Sequence, residues 1–255
     1  MNQTIVAPTA LQDFLKENRR LAIAFSGGTD SAYLLYAAAQ CGCDVQAYYV
    51  RSQFQPRFEL EDARRLAEQL GVPMKVLEAD VLQCPQIACN PTDRCYHCKN
   101  RLFTEILETA SLDGYAVLCD GTNASDDASD RPGMRALREL NVRSPLRECG
   151  ITKPQVREFS RQAGLFTWNK PAYACLATRI PAGTAITAQE LEKIERAEQS
   201  LMELGFSDLR VRVFHQAARI QLPEAQFAEA VRRSKEIRNV LEPDFTGVLL
   251  DLKPR

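Results

Sequence analysis

Two groups of residues in this 255-residue chain have types and spacings that could do chemistry. The first is Ser26-Gly27-Gly28-Thr29-Asp30-Ser31, set between the apolar run 21–25 and the helical stretch 31–40. Glycines let a backbone turn tightly and approach a ligand closely. The amides of such a loop, and of the helix it opens, face an anion and are helped by the helix dipole. Ser26 and Ser31 add hydroxyl donors. The Gly-Lys-Ser/Thr ending of a P-loop is absent, so this is a phosphate loop of another build. A glycine-rich turn without a ligand is the plain alternative, and a bare Gly-Gly would favour it.

The second group is cysteine. Nine cysteines occur in a chain with no feature of a disulfide-stapled secreted domain, which points to metal binding or catalysis. Cys95 and Cys98 stand in Cys-Tyr-His-Cys-Lys after Pro91 and Asp93, at an expected helix start. A spacing of three puts both sulfurs on one helix face, and a helix N-terminus favours thiolate. Such a pair serves a redox couple, half a zinc site or part of an iron–sulfur site. A four-ligand zinc site normally takes a second close pair, and only Cys84 and Cys89, in a polar proline-containing stretch, lie nearby. Cys175 lies in a loop-like segment. Together with the pair it makes three thiols, and three thiolates on a 4Fe-4S cluster leave one iron open. The plain alternative is a small buried Cys175 beside an incidental pair. Cys41, Cys43 and Cys119 read as small hydrophobes. With only His97 and His215, a mechanism built on several histidines is excluded.

These residues need a scaffold. Residues 21–25, 45–50, 74–79 and 115–121 read as strands, and 31–40, 57–70 and 152–163 as helices. Alternating strands and helices imply βαβ units and a parallel sheet covered on both faces, an α/β fold. The polar segment 121–133 follows a strand end, where ligands sit in doubly wound sheets. Thr9 with Gln12, Thr152 and Thr187 with Glu190 read as helix starts, and Gly71 and Gly164 as stops. Beyond residue 186 the order becomes α-β-β-α-β, with one helix over 223–241. The expected organisation is a nucleotide domain over 1–168, a linker over 169–186 carrying Cys175, and a small α+β domain over 187–255.

The phosphate loop in its strand–loop–helix setting matches the signature of the PP-loop ATP pyrophosphatases. That class cleaves ATP between the α and β phosphates, holds the leaving pyrophosphate and transfers AMP to its substrate. From about residue 10 onward the chain more specifically resembles the LarE family of sulfur transferases. The segments AFSGGTDS, PTDRCYHCKNRLF, DGTNASDDASDRPGMRAL, RSPL, WNKPAYACLATRIPAGT and RVRVFHQAARIQLPEA carry the similarity. The resemblance implies a Rossmann-like PP-loop domain with a small α+β domain. It implies adenylation of a carboxylate on pyridinium-3,5-dicarboxylate mononucleotide, then thiocarboxylate formation during nickel-pincer nucleotide biosynthesis. One branch of the family sacrifices a linker cysteine. The other holds a 4Fe-4S cluster on three cysteines, and Cys95, Cys98 and Cys175 match it.

By the same resemblance, Ser26, Gly27, Gly28, Asp30 and Ser31 hold pyrophosphate and Lys99 is a basic residue near the phosphates. Asp120, Thr122, Asn123 and Asp130 face the nucleotide, with Asp130 a candidate for Mg2+. Arg179, Arg210 and Arg212 are candidates for the substrate phosphate, since arginine suits phosphate by bidentate geometry. Gln221 stands where family members can place a glutamate. No metal is expected beyond Mg2+ with ATP and the cluster. The expected partners are the small nucleotide substrate, sulfide or a sulfur-donor protein, and further copies of the chain in a homo-oligomer.

Composition restricts the alternatives. A hydrophobic fraction of 45% and a charged fraction of 25% are those of an ordinary soluble globular chain. No signal peptide and no run of about 20 apolar residues is present, so a cytoplasmic protein without membrane contact is expected. A formal net charge of -1 gives no bulk attraction for nucleic acid. A PP-loop tRNA thiolase, which needs a basic surface, is therefore the second reading. An ammonia-using PP-loop amidotransferase would leave the three cysteines without a role, and a non-catalytic nucleotide-binding regulator would release no pyrophosphate.

Overall fold

The computed structural model describes residues 6–126 and 132–255. In chain order the elements are α1 (Thr9–Glu17), β1 (Arg20–Ala24), α2 (Thr29–Gln40), β2 (Asp44–Arg51), α3 (Arg57–Leu70), β3 (Met74–Glu78), α4 (Pro85–Ala88), α5 (Arg94–Leu112), β4 (Leu118–Cys119), α6 (Pro132–Glu139), α7 (Pro145–Glu148), α8 (Lys153–Gln162), α9 (Ala188–Glu203), β5 (Arg210–Phe214), β6 (Ala217–Gln221), α10 (Phe227–Arg232), α11 (Ser234–Leu241) and β7 (Val248–Leu250). They form two compact units. The first comprises residues 1–52, 57–80 and 93–170, and the second 53–56, 81–92 and 171–255. The division is discontinuous, whereas the sequence suggested cuts after residues 168 and 186.

In the first unit the strands run in the order β3-β2-β1-β4, all parallel. Alternate side chains of a strand point to opposite faces, and both faces here are covered. Leu21, Ile23, Val45, Ala47 and Tyr49 join a core with Leu11, Leu34, Leu35, Leu66 and Val156. On the other face Ala22, Tyr48 and Leu118 pack with Ile106 and Ala110 of α5. Each such large apolar side chain, wholly buried, contributes roughly 1.5–3 kcal/mol. The chain runs from β1 outward to β2 and β3, then returns to add β4 on the other side of β1. The carboxyl ends of β1 and β4 therefore flank a topological switch point, where open α/β sheets bind ligands.

Helix ends follow their expected chemistry with one exception. Thr152 and Gln155 form a capping box at α8, and Gly71 and Gly164 close α3 and α8 at φ 64° and 68°. At α1 the cap is Pro8 rather than Thr9, because Gln12 donates its Nε2 back to Ala7 O at 2.7 Å.

In the second unit β5 pairs antiparallel with β6, and β7 lies parallel to β6. Val211, Ala218 and Ile220 pack with Leu201 of α9 and with Ile237 and Leu241 of α11. Thr187 caps α9, its hydroxyl accepting from Glu190 N at 3.2 Å. The stretch 223–241, read as one helix, is broken into a 3-10 turn, α10 and α11. At the break Arg233 donates Nη1 to Leu204 O and pairs with Glu236 at 2.7 Å. Short early segments complete this unit: Leu176 N donates to Phe54 O at 2.9 Å, and Gly183 N to Asn90 O at 2.8 Å. Among the described residues no helix is long and apolar enough to cross a membrane.

Gly121, just past β4, shows how tightly the switch point is built. A Cβ there would meet Ser31 N at 2.7 Å and Ser31 Cα at 3.0 Å, both backbone atoms of α2. Gly121→Ala should destabilise the protein by about 1–3 kcal/mol, seen as a lower midpoint in thermal unfolding; an unchanged midpoint would refute this close approach.

Candidate functional site

The 26–31 loop leaves β1 and opens α2. Gly27 takes φ 71°, a conformation that favours glycine, and a Cβ there would come within 3.1 Å of Glu59 O and of Ala63 Cβ on α3. Gly28 is the N-cap of α2, and no side chain caps the helix. The first amides of α2 therefore face the loop, the arrangement a phosphate needs. Ser26 Oγ and Ser31 Oγ lie 3.2 Å apart, and Ser31 Oγ donates to Gly28 O at 3.3 Å. Thr29 Oγ1 donates to Thr167 O at 2.9 Å, which fixes the first turn.

Asp30 points towards the segment after β4. Its Oδ1 accepts from Asn123 Nδ2 at 3.2 Å, and its Oδ2 pairs with Lys153 Nζ at 2.6 Å. Asn123 is itself buried and held, its Oδ1 accepting from Ser125 N at 2.8 Å. Asp120 is buried too and builds the turn: it accepts from Thr122 N at 3.2 Å, from Thr122 Oγ1 at 2.5 Å and from Ser144 Oγ at 2.7 Å. The structure thus brings Ser26, Gly27, Gly28, Asp30, Ser31, Asp120, Thr122 and Asn123 to one end of the sheet. Asp130 lies outside the described residues.

Two lysines that the sequence reading passed over stand beside the loop. Lys153 reads in sequence only as the first residue of a helix, and Lys170 only as part of a linker. Lys170 pairs with Asp62 at 2.8 Å, donates to Gly27 O at 3.4 Å, and lies over the Phe58 ring at 5.5 Å from its centroid. Their signal was positional: each ends up beside the loop only because α8, and the residues after it, pack on α2.

Cys95 and Cys98 lie in the first turns of α5, Cys95 exposed and Cys98 half-buried. Between them Tyr96 donates its hydroxyl to Glu139 Oε2 at 2.7 Å, and the Arg135 guanidinium sits over its ring at 4.0 Å. Lys99 lies over the Phe103 ring at 5.9 Å, and its stem packs against Gly133, where a Cβ would be 3.0 Å from Cδ. Cys175 is half-buried and belongs to the second unit. Three thiols, two of them one helical turn apart, are a donor set suited to an iron–sulfur cluster. Among the described residues no three His, Cys, Asp or Glu side chains stand together as a metal-holding group.

The three candidate arginines all lie in the second unit. Arg179 has its guanidinium taken up by protein acceptors: Glu198 Oε1 at 2.8 Å and Oε2 at 2.9 Å, Ala174 O at 2.6 Å, Cys175 O at 3.1 Å and Thr178 Oγ1 at 3.0 Å. That is the environment of a residue that shapes a loop rather than one held out to a ligand. Arg210 is buried, donating to Leu209 O at 2.6 Å and to Ala172 O. Arg212 is half-buried, donating to Gln221 Oε1 at 2.6 Å and Thr178 O at 2.5 Å. Gln221 in turn donates to Asp251 Oδ2 at 2.9 Å. Burial, then the like charges of Arg179 and Arg255, push the Arg210 guanidinium down to about 10. Burial, then Arg179 and Arg219, lower Arg212 in the same direction. Cations crowded in this way are under-compensated, and an anion placed beside them would relieve both.

A parallel sheet with a serine-glycine-glycine loop opening an uncapped helix at its switch point defines the PP-loop nucleotide-binding class. Comparison with known sequences agrees. The family model for the queuosine biosynthesis protein QueC matches residues 20–100. A pyridinium-3,5-bisthiocarboxylic acid mononucleotide synthase of Lactiplantibacillus plantarum is 34% identical, over 93% of this chain and 87% of its own. An uncharacterized protein of Synechocystis is 36% identical, over 95% of this chain and 92% of its own. A tRNA-specific 2-thiouridylase of Clostridium botulinum is 25% identical over only 59% of this chain and 52% of its own. The chain belongs to the LarE family, that of the Lactiplantibacillus synthase, and is an ATP-dependent sulfur transferase.

Removing Lys153 should therefore impair the nucleotide step. Lys153→Met should slow pyrophosphate release from Mg-ATP by about 10²-fold, the size expected when one charge-stabilising group is lost; release at the native rate would remove Lys153 from the site.

Proposed function

We propose that the protein adenylates a carboxylate of pyridinium-3,5-dicarboxylate mononucleotide and converts it to a thiocarboxylate, a step of nickel-pincer nucleotide biosynthesis. The observation that carries the nucleotide half is the uncapped start of α2 behind Ser26–Ser31. The substrate itself rests on the near full-length likeness to the Lactiplantibacillus synthase.

In the first half-reaction a substrate carboxylate oxygen attacks the α-phosphorus of ATP. The bond from that phosphorus to the oxygen bridging to the β-phosphorus breaks, and pyrophosphate leaves. The amides at Gly28–Ser31 with the Ser26 and Ser31 hydroxyls would hold the departing group, and Lys153, Lys170 and Lys99 would supply positive charge. Mg2+ would sit on phosphate oxygens and a carboxylate, for which Asp30 and Asp130 are the candidates. In the second half-reaction a sulfur nucleophile adds to the acyl carbon, and AMP leaves with the oxygen it had activated. Arg210 and Arg212 would hold the substrate's own phosphate, their crowded charges favouring an anion. Bound by Cys95, Cys98 and Cys175, a 4Fe-4S cluster would supply an exchangeable sulfide at the iron that no cysteine holds. Sulfide or a sulfur-donor protein would replenish it. Activity in the cytoplasm as a homo-oligomer completes the proposal.

The test is anaerobic purification followed by iron and acid-labile sulfide analysis of the native protein and of Cys95→Ala, Cys98→Ala and Cys175→Ala. About four irons per chain, lost in each variant, are expected. With ATP, Mg2+, sulfide and the dicarboxylate nucleotide, pyrophosphate and AMP should appear together with exchange of oxygen for sulfur in the substrate's mass. Absence of iron after reconstitution would make Cys175 the direct sulfur donor, visible as loss of its sulfur after turnover. Salt-sensitive retention of tRNA, with no reaction of the nucleotide, would transfer the assignment to a tRNA thiolase.

A further inference from the structure

The segment carrying Cys175 has no helix or strand bonds over residues 171–175, yet its carbonyls are taken up one after another by arginine. Ala172 O accepts from Arg210 and from Arg255 Nη2, the latter at 2.8 Å. Ala174 O and Cys175 O accept from Arg179 Nη1 at 2.6 Å and 3.1 Å. Both buried guanidinium groups lie over the Tyr173 ring, Arg179 at 4.5 Å and Arg210 at 4.7 Å from its centroid. One carboxylate stands behind this arrangement. Glu198, on α9, is 1% exposed. It accepts from Arg179 Nε and Nη2, from Val211 N at 2.8 Å, and from the Tyr173 hydroxyl.

A buried ion pair can commonly be exchanged for uncharged residues of similar volume without loss of stability, so core stability does not explain this one. What the pair does that an apolar pair could not is point Nη1 of Arg179 at two consecutive carbonyls. We propose that Glu198, acting through Arg179 and Tyr173, is a positioning residue for Cys175: it fixes the backbone that presents the thiol and so serves the sulfur step rather than adenylation. The role of Cys175 in sulfur delivery rests on the function proposed above, while the fixing of its backbone does not.

The experiment uses the full chain, purified without oxygen, and the double variant Arg179→Met with Glu198→Gln. Both charges are then removed together, and the amide oxygen keeps an acceptor for Val211 N. Two measurements are made. Hydrogen exchange is followed at residues 172–179, which include the amides of Leu176 and Thr178, bonded to Phe54 O and Cys175 O. Residues 234–241 of α11, which carries neither substitution, serve as the internal reference for folding. The two half-reactions are then timed separately, as pyrophosphate release and as thiocarboxylate formation. The 172–179 amides should exchange about tenfold faster in the variant while α11 is unchanged, the signature of local release. Thiocarboxylate formation should fall about 10²-fold, the size expected for a misplaced reacting group, with pyrophosphate release within about threefold of native.

Unchanged exchange at 172–179, or native thiocarboxylate formation in the folded variant, would overturn the proposal. So would an equal fall in both half-reactions, which would place Arg179 and Glu198 on the substrate instead. If the native protein releases no pyrophosphate with the dicarboxylate nucleotide, the proposed function fails, and the exchange data still decide whether this pair holds the Cys175 segment.

Discussion

The first amides of α2 receive no side-chain cap, and the rest of the first unit is arranged to keep them that way. Gly28 stands at the cap position and has no side-chain oxygen to offer, while the Ser26 and Ser31 hydroxyls bond to each other and Ser31 also donates to Gly28 O. Uncapped amides at a helix start carry the positive end of the helix dipole. Holding them bare requires tight backbone on both sides. Gly27 lies against α3 and Gly121 against Ser31, each with too little room for a Cβ. The strand order follows from the same need, since only the β1–β4 switch point places a second loop, 120–126, opposite the first.

Charge around that helix start is supplied as neutralised pairs. Lys153 leans on Asp30 and Lys170 on Asp62, at 2.6 Å and 2.8 Å. In the proposed reaction each lysine would turn to a phosphate, and Asp30 would be left to the cation that comes with ATP. The second unit treats charge differently. There Arg179, Arg219 and Arg255 pair with Glu198, Asp251 and Asp208, and burial first, then the neighbouring guanidinium groups, lowers Arg210 and Arg212. A phosphate bound there would be attracted by groups that already repel one another.

Most of the architecture was legible because parallel strands buried on both faces read as short apolar runs. Residues 21–25 and 45–50 gave β1 and β2 on that basis, and the α-β-β-α-β order read beyond residue 186 anticipated the neighbouring strands β5 and β6. The phosphate loop was legible because its chemistry is local: two glycines, two hydroxyls and a helix start lie within six residues. Helix breaks were less legible. Nothing local marks Arg233 as the end of α10; its side chain reaches Leu204 O, a partner 29 residues away.

The amino-acid sequence alone determined the fold class, the phosphate loop, the cysteine pair and the membership of a family, because each is written in residues close together along the chain. Only the tertiary structure decided the partners of charged side chains. Arg179 and Arg210 look alike in sequence as phosphate ligands, yet Arg179 is spent on Glu198 and the backbone around Cys175, while Arg210 remains under-compensated. Lys153, Lys170 and Glu198 were invisible as site residues for the same reason. The work a charge does depends on which opposite charge folding sets beside it and how much water remains, and neither is a property of neighbouring residues in the chain.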